Sequence, residues 1–488
     1  MPQSRFAVRT LAALATVVSA ACVAPPLELP TRDDLAQSYE RFDALYAARA
    51  ATVDVADVNR RFDAATLDFF RGQFGAAIEK IDRLNDIFEP DGAKADSLRR
   101  LRALKTRIRP AVGVLSATES IAVDLSLLYA WPTEGTAPLD LRVEIRDTAG
   151  AILATGRKSI GPADFDRGPV RVELSGAPTA TGNFEVWFID GASGASLRGP
   201  RWNVVAKAPA QARAAWRERL KSCGDNAAPT TARFVCDARI DLFQEQPDPN
   251  RTAESRADLA LLERELESEV TQICAGENPY RRRVGDYWRP LGISENRAPI
   301  RIAAPPSAAG DTPHPLIVAF HGAGGDEQMF FEAYGDGALL RAAMAGGAIV
   351  VTPESTGFLL NITNFDLLLE LMATDYAIDP ARIYVLGHSL GGGVALQVRR
   401  LYADRIAAAC VVAGGRDWAS LTGNTPTRLY VPMLDAIVPP QSLLRDARTA
   451  VDAGLALTII ELPDRGHTLS IGDVTPEIVE WLLSQRRK

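Results

Sequence analysis

The sequence predicts a multidomain chain that ends in a mostly parallel β-sheet with helices on both faces, preceded by helical segments and a β-sandwich-like domain. Three observations predict it. The chain has 488 residues, more than one hydrophobic core usually serves. Its apolar periodicity divides into four stretches: helical, alternating, helical again, and finally mixed. In that final stretch short apolar runs alternate with helical ones, which is how a parallel sheet is wired. A hydrophobic content of 47% and a charged content of 24% are those of ordinary globular protein. The formal net charge is only −7, and no long basic run occurs, so nucleic acid is not an expected partner.

Residues 1–21 have the pattern of an export signal. Arg5 and Arg9 precede the apolar run Thr10 to Ala21, which is too short to span a bilayer. Ser19, Ala20 and Ala21 then lead into Cys22 and a Pro-rich tether, residues 22–30. Two readings compete. Cleavage among the alanines releases a soluble periplasmic or secreted protein, whereas cleavage before Cys22 leaves a lipid-anchored cysteine. The segment resembles bacterial lipoprotein signals, which usually carry Leu where this one has Ser19.

Residues 31–110 read as a helical region. Thr31 is a cap with acids behind it, and Leu35, Tyr39, Phe42, Leu45 and Tyr46 share a face. Leu98, Leu101, Leu104 and Ile108 continue the helical pattern. Over residues 112–206 the period drops to two, in runs beginning at Ile121, Leu139, Val170 and Phe184, with turn residues between them. Several short strands in about a hundred residues predict an immunoglobulin-like sandwich. Residues 207–278 return to a helical pattern. Cys223, Cys236 and Cys274 lie here and allow one intramolecular bridge, with Cys223–Cys236 the first candidate. Their spacing fits no zinc motif. Cys410, in A-A-A-C-V-V-A, reads as a small buried hydrophobe.

Residues 279–488 supply the terminal domain. Strands are predicted near Pro290, at Ile300–Ala303, Pro315–Phe320, Ala348–Thr352, Ile383–Gly387, Ala407–Ala413, Arg428–Val431 and Leu457–Leu462. Helices are predicted at Leu339–Ala345, Phe365–Tyr376, Gly391–Leu401, Ser442–Ala453 and Pro476–Gln485.

The chemistry concentrates at G-H-S-L-G, where Gly387 and Gly391 flank Ser389. An apolar strand ends at Gly387 and a helix begins after Gly391. That is the sharp strand-to-helix turn that lifts a serine hydroxyl into the open. The stretch H-G-A-G-G, after the strand that ends at Phe320, is a loop whose backbone amides can approach a substrate. Ala323 is the first candidate oxyanion donor there, Gly324 an alternative, and Leu390 the second donor. His321 reads as a brace for that loop. The chain has four histidines, and only His467 lies after the last strand, so by elimination it is the base. Asp435, just past the seventh strand, is the candidate acid. Asp417 is its rival, and Asp464 lies too close to His467 in sequence.

These stretches resemble the esterase and peptidase branch of the α/β-hydrolases, including poly(hydroxyalkanoate) depolymerase-like and feruloyl esterase-like enzymes and prolyl oligopeptidase catalytic domains. The resemblance is carried by P-L-I-V-A-F-H-G-A-G-G from Pro315, I-D-P-A-R-I-Y-V-L-G-H-S-L-G-G-G from Ile378, A-A-A-C-V-V-A-G-G from Ala407, D-A-I-V-P-P from Asp435, and the pair Gly466-His467. Members often have Gly shortly before the acid, where this chain has Met433 and Leu434. None of residues 31–275 is covered. The resemblance implies two-step acyl transfer by Ser389, His467 and Asp435, with no metal or organic cofactor, on a small-molecule or polymeric ester. Peptide is the alternative substrate, and a catalytically inactive envelope binding or scaffolding protein is the alternative class. About a dozen residues separate the sixth strand from the seventh, which leaves no room for a large inserted cap. The site is therefore expected to be shallow unless the upstream domains roof it.

Overall fold

The computed structural model describes residues 29–89, 92–117, 119–132, 138–224, 229–246, 257–292 and 298–487. The expected signal, Cys22 and most of the tether lie outside them. Among the described residues no helix is long and apolar enough to cross a membrane.

The chain enters through helices α1 (Arg32–Arg49), α2 (Val55–Phe70), α3 (Phe74–Leu84) and α4 (Ala93–Arg102). A capping box opens α1: the Thr31 amide donates to Asp34 and the Asp34 amide to Thr31 Oγ1. Leu35, Tyr39, Phe42 and Tyr46 of α1 pack against Val58, Phe62 and Ala65 of α2 and against Ala77, Ile78 and Ile81 of α3.

The sandwich begins earlier than the sequence predicts. Leu104 and Ile108 are not on a helix; they lie in strand β1 (Leu104–Arg109), which pairs antiparallel with β3. So short a run satisfies a helical and an alternating period alike, and pairing decides between them. Then follow β2 (Gly113–Val114), β3 (Ile121–Leu127), β4 (Leu139–Arg146), β5 (Ile152–Ile160), β6 (Val170–Gly176), β7 (Gly182–Asp190) and β8 (Ser196–Val205). The order is β1-β3-β6-β5-β4-β7-β8-β2, and only two residue pairs join β6 to β5. The sheet folds over at that joint. Val123, Val172, Val143, Val186 and Trp202, from both halves, meet in one core.

Among the described residues three helices lead onward: α5 (Pro209–Ser222), α6 (Thr230–Ile240) and α7 (Leu259–Cys274). Here the disulfide expectation is corrected. Cys223, just past α5, bridges to Cys274 at the end of α7, with Cα atoms 5.0 Å apart. Cys236 is a free thiol on the buried face of α6, within the core formed with Trp216 and Leu266.

The terminal sheet comprises β9 (Gly285–Pro290), β10 (Pro299–Ala304), β11 (His314–Phe320), β12 (Ile349–Pro353), β13 (Ile378–His388), β14 (Ala408–Val412), β15 (Thr427–Pro432) and β16 (Leu457–Leu462). Its order is β16-β15-β14-β13-β11-β12-β10-β9, parallel from β11 to β16 with β9 and β10 antiparallel at one edge. Both faces are covered. Leu316, Val318 and Phe320 of β11 join one core while Ile317 and Ala319 join the other. Helices α8 (Tyr334–Ala345), α9 (Asn364–Asp375), α10 (Leu390–Leu401), α11 (Pro440–Asp452) and α12 (Leu469–Ser484) complete the domain. The last helix starts a full turn and more before the expected Pro476, which it carries in its interior. Proline at a first turn is a common helix start, and here that rule misplaces the boundary.

After β11 the chain turns to β12 on one side, then crosses to β13 on the other. Such a reversal opens a crevice at the carboxyl ends of the two strands, where doubly wound sheets bind ligands.

Candidate active site

Ser389 stands at that crevice, between β13 and α10, in the strained conformation φ 53°, ψ −117°. Backbone of this kind persists only where its surroundings over-determine it. The Ser389 amide donates to the Val412 carbonyl at 3.0 Å. A Cβ on Gly391 would lie 2.1 Å from the Phe320 carbonyl oxygen, so no other residue fits two places after the serine.

Ser389 Oγ lies 2.9 Å from His467 Nε2, and His467 Nδ1 lies 2.8 Å from Asp435 Oδ2. The carboxylate can only accept, so Nδ1 carries the proton and Nε2 presents its lone pair to the serine hydroxyl. The other oxygen of Asp435 accepts the amides of Ile437 and Val438, each at 2.7 Å. The residues standing where glycine is common also hold this loop: the Met433 amide donates to the Leu462 carbonyl and that of Leu434 to Arg465. Asp417 is exposed and heads a short turn, with its backbone carbonyl engaged by Ser420. The structure thus brings Ser389, His467 and Asp435 together and leaves Asp417 and the exposed Asp464 apart.

Ala323 lines the same cavity as Ser389 and His467. Among the described residues, no group accepts from the Ala323 or Gly324 amide, whereas the Gly322 amide donates to Tyr334 and that of Gly325 to the Gly322 carbonyl. Leu390 opens α10, where an N–H has no carbonyl four residues back within the helix. His321 fixes the loop from beneath. Its Nε2 accepts from the Ser355 amide at 2.9 Å, so its Nδ1 donates to the Gly322 carbonyl at 2.8 Å. Burial lowers its pKa and keeps it neutral.

His388 connects the two sides of the site. Its Nε2 donates to the His467 carbonyl at 3.0 Å, which leaves Nδ1 to accept from the Tyr334 hydroxyl at 2.9 Å. Burial pushes the imidazole down to about 3, so it stays neutral in this role. Tyr334 accepts in turn from the Gly322 amide at 3.2 Å. A single chain of hydrogen bonds therefore runs from the glycine loop to the backbone of His467.

Residues 317–482, about a third of the chain, match the model of the alpha/beta hydrolase family. The C-terminal region is an α/β-hydrolase domain. No curated protein matches the chain. Among solved structures it is similar to an S-formylglutathione hydrolase from Staphylococcus aureus, at 12% identity over 38% of this chain and 90% of that one, with a TM-score of 0.33. It is likewise similar to an S-formylglutathione hydrolase from Agrobacterium tumefaciens (14%, 38% and 90%, 0.33). A thermophilic esterase from Thermogutta terrifontis gives 15%, 41% and 91%, with a TM-score of 0.34.

The hydrolase domain does not form its site alone. Helices α1 and α2 lie over Ser389, and the cavity between is lined by Leu35, Tyr39, Phe62, Ala65, Phe69 and Met329. The expectation of a shallow site holds only for a domain without its roof, and here the upstream helices supply one. Polar contacts fasten it. Asp63 of α2, 1% exposed, accepts the His467 amide at 2.9 Å and the Ala436 amide at 3.0 Å. Asn59 Oδ1 accepts the Gly466 amide at 2.8 Å, and Thr66 meets Thr468 at 3.1 Å. Sequence reasoning missed these residues. Their signal was a polar series at i, i+4 and i+7 beside the apolar face of α2, which reads equally well as a solvated stripe. Among the described residues no group of three or more His, Cys, Asp or Glu is placed to hold a metal.

Proposed function

We propose that the protein is a serine esterase in which Ser389 is the nucleophile, His467 the base and Asp435 the acid. The observation that carries this reading is the unbroken pair of hydrogen bonds from Ser389 Oγ through the His467 ring to Asp435, at 2.9 and 2.8 Å. His467 Nε2 takes the serine proton as Oγ attacks the ester carbonyl carbon, and Asp435 stabilises the imidazolium. The Ala323 and Leu390 amides receive the charge that develops on the carbonyl oxygen. His467 then protonates the departing alcohol, the ester C–O bond breaks, and the acyl group stays on Ser389. Water, deprotonated by the same histidine, releases it as the carboxylic acid. We further hold the chain to be exported, on its N-terminal pattern. The Cys223–Cys274 bridge supports this reading, since such bridges persist in oxidising compartments.

Turnover of a short p-nitrophenyl ester by the mature protein and by Ser389→Ala tests the proposal. Loss of roughly 10⁴–10⁶-fold in kcat is expected in the variant. Equal rates in the two proteins would remove the serine from the chemistry, and no turnover in either would favour a binding role.

A further inference from the structure

The cavity beside Ser389 has about 950 Å³ of open space, its mouth included. Two of its walls differ in origin. One is the glycine loop of the hydrolase domain, with Met329 and Ala333 behind it; the other is built from Leu35 and Ala36 of α1 and Phe62, Ala65, Phe69 and Phe70 of α2. The second wall is hydrocarbon almost throughout. Two charged residues, Arg32 and Glu40, line it from α1; Arg32, at the start of the helix, faces Asp326 of the glycine loop at 3.6 Å.

The roof also touches the loop that carries the candidate oxyanion donor. A Cβ on Gly324 would fall 2.2 Å from Cζ of Phe69, so that ring lies directly on the backbone next to Ala323. A group that is bound to the scissile carbonyl and seated in this cavity lies among Phe69, Phe62 and Leu35, which line it with Ser389. Phe62 and Leu35 are 3% and 9% exposed, so this surface is already part of a packed interior and does not depend on a partner to cover it.

Resting on the esterase reading above, we propose that the N-terminal helices α1 and α2 are the specificity element of the enzyme, and that its substrates are esters with an uncharged, apolar arm that fills the cavity beneath them. The acyl side and the alcohol side of an ester are both hydrocarbon arms and present the same chemistry to this wall. A buried methylene is worth roughly fourfold in an equilibrium constant, so an arm held in the transition state raises kcat/KM steeply with length.

Two substrate series separate the arms. The p-nitrophenyl esters of two- to eight-carbon acids vary the acyl side. Acetates of two- to eight-carbon alcohols, followed by acid release, vary the other. In one of the two series kcat/KM is expected to rise at least tenfold from the shortest member to the longest. Ala36→Trp, which fills the cavity from α1, should lower that ratio at least fivefold. Phe70→Asp, at a position 47% exposed and therefore safe for folding, should lower it in the same direction. A flat or falling dependence in both series, from a protein whose acetate turnover disappears in Ser389→Ala, overturns this proposal and leaves the esterase standing. Turnover that survives Ser389→Ala overturns the esterase reading and this one with it.

Discussion

Asp63 belongs to α2, yet both of its oxygens face loops of the hydrolase domain. They hold the amide of His467 and the amide of Ala436, the residue after Asp435. The candidate base and the candidate acid are thus indexed to one carboxylate more than 370 residues earlier in the chain. Burial pushes that carboxyl up, against the pull of the two amides, and the nearby Asp435 adds to the rise. A group kept in so unfavourable a place is more than filler. Asparagine is nearly the same shape but offers one acceptor and one donor, so one of the two amides would meet an N–H. In Asp63→Asn the His467 ring should lose its register with Ser389, and a misplacement of this kind costs roughly 10²-fold. We expect that loss in kcat, with KM within about twofold, measured on a short p-nitrophenyl ester. A variant with normal kcat and only a lowered melting temperature would reduce Asp63 to a structural contact.

Between α2 and the glycine loop the decisive contact is steric. Gly324 has φ +77°, a conformation that costs an ordinary residue about 1 kcal/mol or more, and Phe69 occupies the space where its side chain would go. Gly324→Ala therefore meets two separate obstacles. Phe69→Ala removes one of them and leaves the other. In a double-mutant cycle on kcat/KM, Gly324→Ala should cost at least tenfold in the presence of Phe69 and markedly less in its absence. Additive effects would mean that the ring and the loop do not press on each other in solution. The elements also differ in how visible they are beforehand. The turn at Ser389 could be read directly, because an apolar strand, two glycines and a helix start are all local to fifteen residues. The strand Leu104–Arg109 could not, because its assignment rests on pairing with β3. The bridge from Cys223 to Cys274 was hidden for a similar reason, since spacing favours the nearer cysteine and only the packing of α5 on α7 brings the farther one in.

At the scale of the whole molecule, the parallel sheet and the candidate residues Ser389, His467 and Asp435 were legible, through strand periodicity, chain order and the scarcity of histidine. The roof was not. Its contacts span 293 residues at Asp43–Asp336, 404 at Asp63–His467 and 427 at Tyr46–Asp473, and no local period encodes such pairings. Asp43 shows what holding the roof costs. It is 2% exposed and accepts the Asp336 amide at 2.7 Å, and burial, with Asp336 and Asp473 nearby, raises its carboxyl to about 7. In the unfolded chain the same group titrates near the ordinary 3.8. Between those two values the native protein keeps a proton that the unfolded chain has released, so stability falls as pH rises through the window and levels off above it. The gap corresponds to about 4 kcal/mol as an order of magnitude. Asp43→Asn can still accept the Asp336 amide through its side-chain oxygen, and it has no proton to lose. The melting temperature of the variant minus that of the parent should therefore be smallest near pH 4, grow through pH 5 and 6, and reach a positive plateau above pH 7. A difference that stays constant across that range would mean that Asp43 is ionised at no cost, and that the seam between α1 and the hydrolase domain is far wetter than its burial implies.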